Sequence, residues 1–337
     1  MDKSFRRLML ISIIGFVAIL ILGILSVFLG PVEIAFYDIL AAFGLIEPIS
    51  DLDQFTVIQA IIIDLRLPRV FLGILVGAGL AMVGAMLQTV TRNDLADPFL
   101  FGLSAGAATG AVFVMVYLGE FLGRWSLPVA SFSGGVLAAL AVSVLYNLQR
   151  QKSMERLVIS GLAISFLFGA LTNYLIFSGD QNTANSVLFW SLGGLGRATW
   201  DSLPIAVFGV VLLFILLLWK HLSFDALLAG EETAESLGIT VSRLRILIFL
   251  VCALATSAFV SLTGIIGFVG LMIPHLVRPL IGVRHLYFVP AVAIFGAILM
   301  LIGDLVCRLV VAPQELPLGI VTAAIGGFFI LTLMFKP

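Results

Sequence analysis

Between Arg66 and Ala107 the chain reads RLPRVFLGILVGAGLAMVGAMLQTVTRNDLADPFLFGLSAGA, and this stretch constrains the fold more than any other. Two arginines bracket a proline, and about twenty uncharged residues follow, a length that crosses a bilayer. A polar knot, Thr91 to Pro98, then separates that run from a second apolar, Gly-rich one. Hydrocarbon offers no partner to such backbone and charge, so the knot belongs at an aqueous face or against protein. The stretch reads as a membrane hairpin with both rims chemically marked.

The rest of the chain repeats the pattern. Of its 337 residues 61% are hydrophobic and 11% charged, whereas soluble domains carry about a quarter charged residues. No water-exposed surface can be built from that material. The apolar runs are continuous rather than alternating in short segments, which sets aside an outer-membrane barrel. The 33 glycines suit helices that approach closely in lipid. The fold class is an all-α polytopic membrane protein, read as a single transmembrane domain over residues 1–337. A net charge of −1 gives no sign of nucleic acid. Cys252 and Cys307 both lie in apolar runs and form no metal-ligand spacing, so no metal site is expected.

Lys3, Arg6 and Arg7 precede the uncharged run Leu8–Leu29. That run is too long for a signal peptide and lacks a small-residue cleavage site, so it is the first span, entering from the cytoplasm. Residues 30–67 read as a mixed loop carrying Glu33, Asp38, Glu47, Asp51, Asp53 and Asp64. Further spans are expected at roughly 68–91, 98–118, 127–148, 157–178, 202–219, 244–263, 268–282, 286–308 and 316–335, about ten in all. Val187–Leu195 is too short to span and suits a re-entrant or interfacial helix. With the N-terminus inside, the inner segments hold Lys3, Arg6, Arg7, Arg92, Arg150, Lys152, Arg156, Lys220, Arg243, Arg245, Arg278, Arg284 and Lys336. The outer ones hold Arg66, Arg69, Arg124, Arg197 and Arg308. That asymmetry places both termini in the cytoplasm. Arg-rich starts at Arg66/Arg69 and Arg243/Arg245 are a loose trace of two inverted halves.

One sizeable loop, 220–245, has a helical pattern of its own: Leu227, Leu228, Ala234 and Leu237 against Glu231, Glu232 and Glu235, with Gly238 as a C-cap. It is either a solvated connector or a docking surface for a soluble partner, since a plain connection needs only a few residues.

Eight motifs occur in order along the chain: RLPR, GAMLQ, RNDLADPFLFGLSAGA, LVISGLA, FWSLGGLG, GEETAESLGI, GIIGFVGLMIPHLVR and ELPLGIVTAAIGGFFI. The sequence from about residue 55 to 335 resembles the FecCD-type permeases, the membrane subunits of ABC importers for ferric siderophores, haem and vitamin B12, some serving molybdate or tungstate. The resemblance implies a vitamin B12 permease-like fold of ten helices per subunit with both ends cytoplasmic, in a bacterial inner membrane. It implies a homodimer, two cytoplasmic ATP-binding subunits and a periplasmic binding protein. The chain has no phosphate-binding GxxxxGK[ST] loop. ATP and Mg²⁺ would therefore be used by a partner, and this chain would be a transport subunit, with no catalytic residue and no cofactor of its own.

Carried over by motif, Arg66, Arg69 and Arg308 match outward-facing arginines that receive carboxylates of the binding protein, a role suited to the planar guanidinium fork. Local pairing with Asp64 and Asp304 is the other reading. Asn93 and Leu95 match one cytoplasmic gate; Ser153, Met154 and Glu155 match the other. Asp94 stands where the family commonly has proline, which predicts a less rigid turn. Gly230, Glu231, Glu232 and Ala234, with Leu237 and Gly238 closing the segment, match the helix that couples to the ATPase. His275, beside Pro274, reads as a hydrogen-bonded structural element, and His221 and His285 fall at cytoplasmic rims without metal-ligand spacing. Gly193, Gly194 and Gly196 are expected to shape the outer mouth. The alternative to an ABC permease is an ion-coupled secondary transporter, which keeps ionisable residues near the bilayer midplane. Here Asp304 alone approaches that position. No nucleophile–base or metal constellation supports an intramembrane enzyme.

Overall fold

The computed structural model describes residues 3–47, 51–119, 122–150 and 153–335. Lys152 and Lys336, two of the basic residues assigned to the inside, lie outside the described residues. Among the described residues every regular element is a helix. The chain begins with α1 (Lys3–Phe28), two short helices α2 (Phe36–Ala42) and α3 (Leu52–Ala60), and then α4 (Leu67–Thr91). Next come α5 (Leu103–Phe113), α6 (Ser126–Leu148), α7 (Met154–Ser178) and α8 (Gln181–Ser191). The remainder forms α9 (Leu203–Ala229), α10 (Glu231–Ser236), α11 (Val241–Thr263), α12 (Val269–Ile281), α13 (His285–Leu309) and α14 (Leu318–Met334).

Seven helical stretches are long and apolar enough to cross a membrane, and three shorter apolar ones cover Leu103–Leu118, Val269–Ile281 and Leu318–Met334. All lie on segments expected to span. At 1.5 Å per residue α12 reaches only about 20 Å, short of a bilayer core. The unwound residues 264–268 precede it, and Gly264 (φ 70°) and Phe268 (φ 68°) are both left-handed there. Such backbone survives at membrane depth only when protein covers it. Here Gly326 of α14 lies against the Phe268 ring.

Two stretches differ from the sequence reading. Residues 30–67 are largely helical rather than a mixed loop, and Asp53–Thr91 forms one unbroken helical run. Its acids do not break a helix, and Ile62 supplies a fully buried anchor. Pro68 would clash with the carbonyl four residues back in a regular α-helix. The chain widens into a π-helix over Ile61–Arg66 just before it, which accommodates the ring. The second difference is α9, which runs ten residues past the expected end of its span. Lys220 and His221 mark a rim without stopping the helix; Gly230, at φ 128°, stops it.

α4 is the axis of the bundle and packs against α9, α11, α12 and α13. In lipid, contact and not hydrophobicity selects such neighbours, so small residues sit at the crossings. A Cβ on Gly77 would lie 2.8 Å from the Met300 Cβ of α13, and one on Gly296 would lie 2.6 Å from the Ala81 Cβ of α4. At the α4–α12 crossing, Gly84 rests directly on the backbone of Gly270. Gly106 and Gly134 play the same part between α5 and α6. α1 and α7 lie outside this core, and α7 exposes Phe166, Leu167 and Phe177.

The two irregular segments are tied to each other by Asp97. Its carboxylate accepts from the amide of Phe99 (2.9 Å), capping the turn Pro98–Phe101, and from the amide of Phe268. Burial nevertheless dominates and pushes its pKa up to about 6.

Two outcomes follow from this packing. Gly84→Ala should lower stability by about 3 kcal/mol or more, because backbone fills the space a methyl group needs. Gly169→Ala on α7, where a Cβ meets nothing within 4 Å, should leave the melting temperature of detergent-purified protein unchanged. For Asp97, the folded state holds the proton more tightly than the unfolded chain does. Its contribution is full below about pH 4 and is lost as pH rises through about 6, a span worth about 3 kcal/mol. Asp97→Asn should flatten the melting-temperature profile across that window and be the more stable protein at pH 7.5.

Candidate functional site

Three regions hold the residues singled out by motif, one at the rim assigned to the outside and two at the opposite rim. At the outer rim the arginines serve the end of α1. Arg66 is 5% exposed, and its guanidinium donates to the carbonyls of Val27 (2.5 Å), Phe28 (3.1 Å) and Val32 (2.6 Å). Arg308, 2% exposed, donates to the carbonyls of Ser26 (2.9 Å) and Leu29 (3.1 Å) and to the Ser26 hydroxyl (2.9 Å). The last turn of any helix leaves carbonyls without partners, and these two side chains supply donors to α1 where water is scarce.

Arg308 also pairs with Asp304 one turn back (3.0 Å), and Asp304 pairs with Arg69 (2.8 Å). Arg69 continues the chain to Glu315 (2.8 Å). The line Arg308–Asp304–Arg69–Glu315 thus joins α13, α4 and the turn before α14. Arg66 and Arg308 are therefore inside the subunit rather than facing outward, because the α1 terminus claims them. Arg69 reaches the surface, beside the half-exposed Glu315. The local pairing with Asp304 is present; Asp64 makes no ion pair among the described residues.

At the opposite rim α4 ends on Arg92, left-handed at φ 51°. The Asn93 side chain accepts from the Leu95 amide (2.9 Å), closing a tight turn that leaves the Leu95 side chain exposed. Asp94, in place of the family's proline, forms an ion pair with Arg278 of α12. Arg278 also donates to the Gln88 Oε1 (3.3 Å), while the Gln88 Nε2 donates to the carbonyls of Gly270 (3.2 Å) and Leu271 (3.1 Å). The turn without proline thus makes a charged contact with α12. Ser153 stands at the N-cap of α7, and its hydroxyl turns to Glu155 (3.0 Å) instead of a backbone amide. Met154 packs partly into the core.

Of residues 220–245, the first ten continue α9 and the last five begin α11, so α10 alone is the projecting piece. Gly230 turns the chain into it, and Ala234 buries its inner face completely. Its end is a Schellman motif: the Gly238 amide (φ 81°) donates to the Glu235 carbonyl (2.9 Å) and the Ile239 amide to that of Ala234 (3.0 Å). Glu231 forms an ion pair with Arg245 of α11. Glu232, Glu235 and Leu237, the last 67% exposed, point away from the bundle.

The sequence reading missed His285. Its ring is fully buried and stacks on Phe224 at 4.9 Å between centroids. Nδ1 bonds the Asp225 carboxylate (2.7 Å), which also accepts from the His285 amide (2.9 Å), and Nε2 meets the Thr89 hydroxyl (2.7 Å). One histidine so joins α9, α13 and the last turn of α4. Its partner lies 60 residues away on the unforeseen extension of α9. His275 meets Phe329 edge-on. Gly194 donates to the Thr263 carbonyl (2.7 Å), and the Gly193 carbonyl accepts from Leu318 (2.9 Å), joining α11 to the start of α14. These glycines line a cavity of about 250 Å³ with Arg69, Asp304 and Glu315. Among the described residues no three His, Cys, Asp or Glu side chains converge as a metal site would require.

Residues 18–336 match the model of the FecCD transport family. The Fe(3+)-citrate import system permease protein of Bacillus subtilis is 36% identical, covering 99% of this chain and 97% of that relative. The hemin transport system permease protein of Yersinia pestis is 37% identical over 81% of this chain and 83% of its own length. A solved structure described as an inward-facing metal-chelate type ABC transporter superposes with a TM-score of 0.80 at 28% identity, covering 96% of this chain and 98% of that one. With the helical bundle and its membrane-length apolar helices in place, the chain belongs to the FecCD transport family and is a multi-pass membrane permease.

Proposed function

We propose that this chain is the permease subunit of a binding-protein-dependent ABC importer. It works as a homodimer in the bacterial inner membrane, with ten spans and both termini in the cytoplasm. Two partner subunits bind ATP and Mg²⁺, and a periplasmic protein delivers the substrate. The observation that carries the reading is α10: a short helix, closed at its C-terminal end by Gly238 and braced to α11 through Glu231 and Arg245, which turns Glu232, Glu235 and Leu237 outward. A helix held this way transmits motion as a rigid body when a partner cleft closes around it. No observation favours an ion-coupled transporter, since Asp304 and Arg308 neutralise one another and hold α1.

The substrate is a metal-containing one. A ferric chelate or haem stands first, supported by relatives described as hemin and Fe(3+)-citrate permeases; cobalamin and molybdate or tungstate come behind. On this reading Arg69 and Glu315 meet the binding protein, while Arg66 and Arg308 hold the floor beneath them. The turns at Asn93–Leu95 and Ser153–Glu155 serve as the cytoplasmic gates.

Whole-cell elemental analysis of a deletion strain under separate limitation for iron, cobalamin and molybdenum tests the substrate class. An iron deficit alone is expected, and a deficit confined to molybdenum would overturn the order given. For the coupling role, Leu237→Asp should reduce uptake by about tenfold or more and abolish co-purification with the ATPase, since losing an apolar interface anchor costs 2 kcal/mol or so. Its melting temperature should match the parent's, because Leu237 is largely exposed. Retained uptake and co-purification would sink the assignment.

A further inference from the structure

α4 and α9 meet at the buried Phe259 ring of α11, which lies against both Gly79 and Gly209. Beyond that crossing, at 1.5 Å per residue, α4 runs on by about 15 Å to Thr89 and α9 by about 24 Å to Asp225. At that depth His285, the first residue of α13, bonds both. Its Nδ1 and its backbone amide lie 2.7 and 2.9 Å from the same oxygen of Asp225. Its Nε2 lies 2.7 Å from the Thr89 hydroxyl. That hydroxyl can donate to the ring or, turned to the Ala85 carbonyl (3.0 Å), accept from it. The bond to α4 therefore holds whether or not Nε2 carries a hydrogen.

The joint is built into the start of α13. Arg284, at the N-cap position, makes no side-chain cap, so the first amide of the helix needs a partner from elsewhere. Asp225 supplies it from α9, and a carboxylate at a helix N-terminus is also favoured by the helix dipole. The fully buried ring stacks on Phe224 (4.9 Å, 18° between planes) and meets Phe288 edge-on, so it has no room to swing to other partners. The two bonded positions are placed for a purpose. Asp225 stands five residues before Gly230, where α9 turns into α10. Thr89 stands four residues before Asn93, whose amide donates to the Gln88 carbonyl (3.2 Å) as the Asn93–Leu95 turn begins.

Resting on the reading of α10 as the helix that meets an ATPase and of Asn93–Leu95 as a gate, we propose that His285 is a positioning residue of the transport cycle. It holds the α9 stem of α10 at one setting against the last turn of α4, so that a shift of α10 is delivered to the gate turn. Without the ring, α9 and α4 keep their crossing at Phe259 but move independently below it. ATP hydrolysis in the partner then proceeds with the gate left behind.

The test compares iron accumulated by the complemented deletion strain, per unit of complex in the membrane, with ATP hydrolysis by the co-purified complex. The ratio of the two is insensitive to how much protein folds. T89V keeps the side-chain shape and removes the bond from α4, D225A removes those from α9, and H285F keeps the stack on Phe224 and removes both side-chain bonds. Each should lower the ratio by about fivefold or more, the size of effect that residues within a coupling network have. Because one ring carries both bonds, T89V/D225A should lose no more coupling than either single change. T109V, which breaks the Thr109–Thr172 bond (2.7 Å) between α5 and α7, should leave the ratio as it is. In the chain alone, nitroxides on L95C and L237C, both exposed sites, should report one narrow distance that broadens in T89V and H285F. Cys252 and Cys307 are buried, so the labels go to the new positions. Unchanged ratios, losses that add in the double variant, or an equal loss in T109V would overturn the proposal. So would a label distance that stays narrow in H285F. A parent that co-purifies with no ATPase would instead sink the importer reading, and the label distance would then decide the joint by itself.

Discussion

A helix that ends inside a membrane protein has carbonyl groups that nothing nearby will satisfy unless side chains are sent to them. The outer half of this molecule depends on that debt being met at the end of α1. Arg66 and Arg308 come from helices far apart in sequence and converge on the carbonyls of residues 26 to 32. Because few residues of α1 are fully buried, apolar packing alone would hold it weakly in lipid. The two guanidinium groups are its fixed points. Asp304 then neutralises Arg308 and passes the constraint to Arg69 and Glu315. The rim is one network from α1 to the start of α14.

The same rule explains the breaks. The left-handed residues at Gly102, Gly264 and Phe268 leave backbone groups uncovered at membrane depth. They are tolerated because neighbouring segments cover them: Asp97 caps one break while touching the other, and Gly194 donates to the end of α11. Glycine at the α4 crossings lets the axis helix lie close enough for this mutual cover. Close packing and backbone satisfaction are one requirement here.

Much of this was legible in sequence, for definite reasons. Uncharged runs of membrane length announce helices whatever their neighbours, and the glycines of FWSLGGLG and the Gly238 cap signalled local backbone needs that the fold then used. What failed was anything decided by partners distant in the chain. Acids at Asp53 and Asp64 suggested a loop, yet helix α3 and its π-helical extension tolerate them because Ile62 is buried on the other side. Arg66 and Arg308 read as outward-facing because nothing local reveals that α1 ends beside them. His285 looked idle at its rim because Asp225 and Thr89 are brought to it only by the extended α9 and the axis helix. Asp94 suggested slack, and nothing local reveals that Arg278 of α12 pairs with it.

Those long-range bonds also link α10 to the rest of its rim. α10 is joined to α11 through Glu231 and Arg245. α9, which feeds α10, is joined through Asp225 and His285 to α13, and through Thr89 to the last turn of α4. The next residue back, Gln88, bonds α12, and Arg278 of α12 holds Asp94 in the turn that follows α4. α12 and α13 are thereby bonded directly to the last turn of α4, and α9 is joined to it through His285. The ends of α4, α9, α12 and α13 are thus tied together by side-chain bonds as well as by packing.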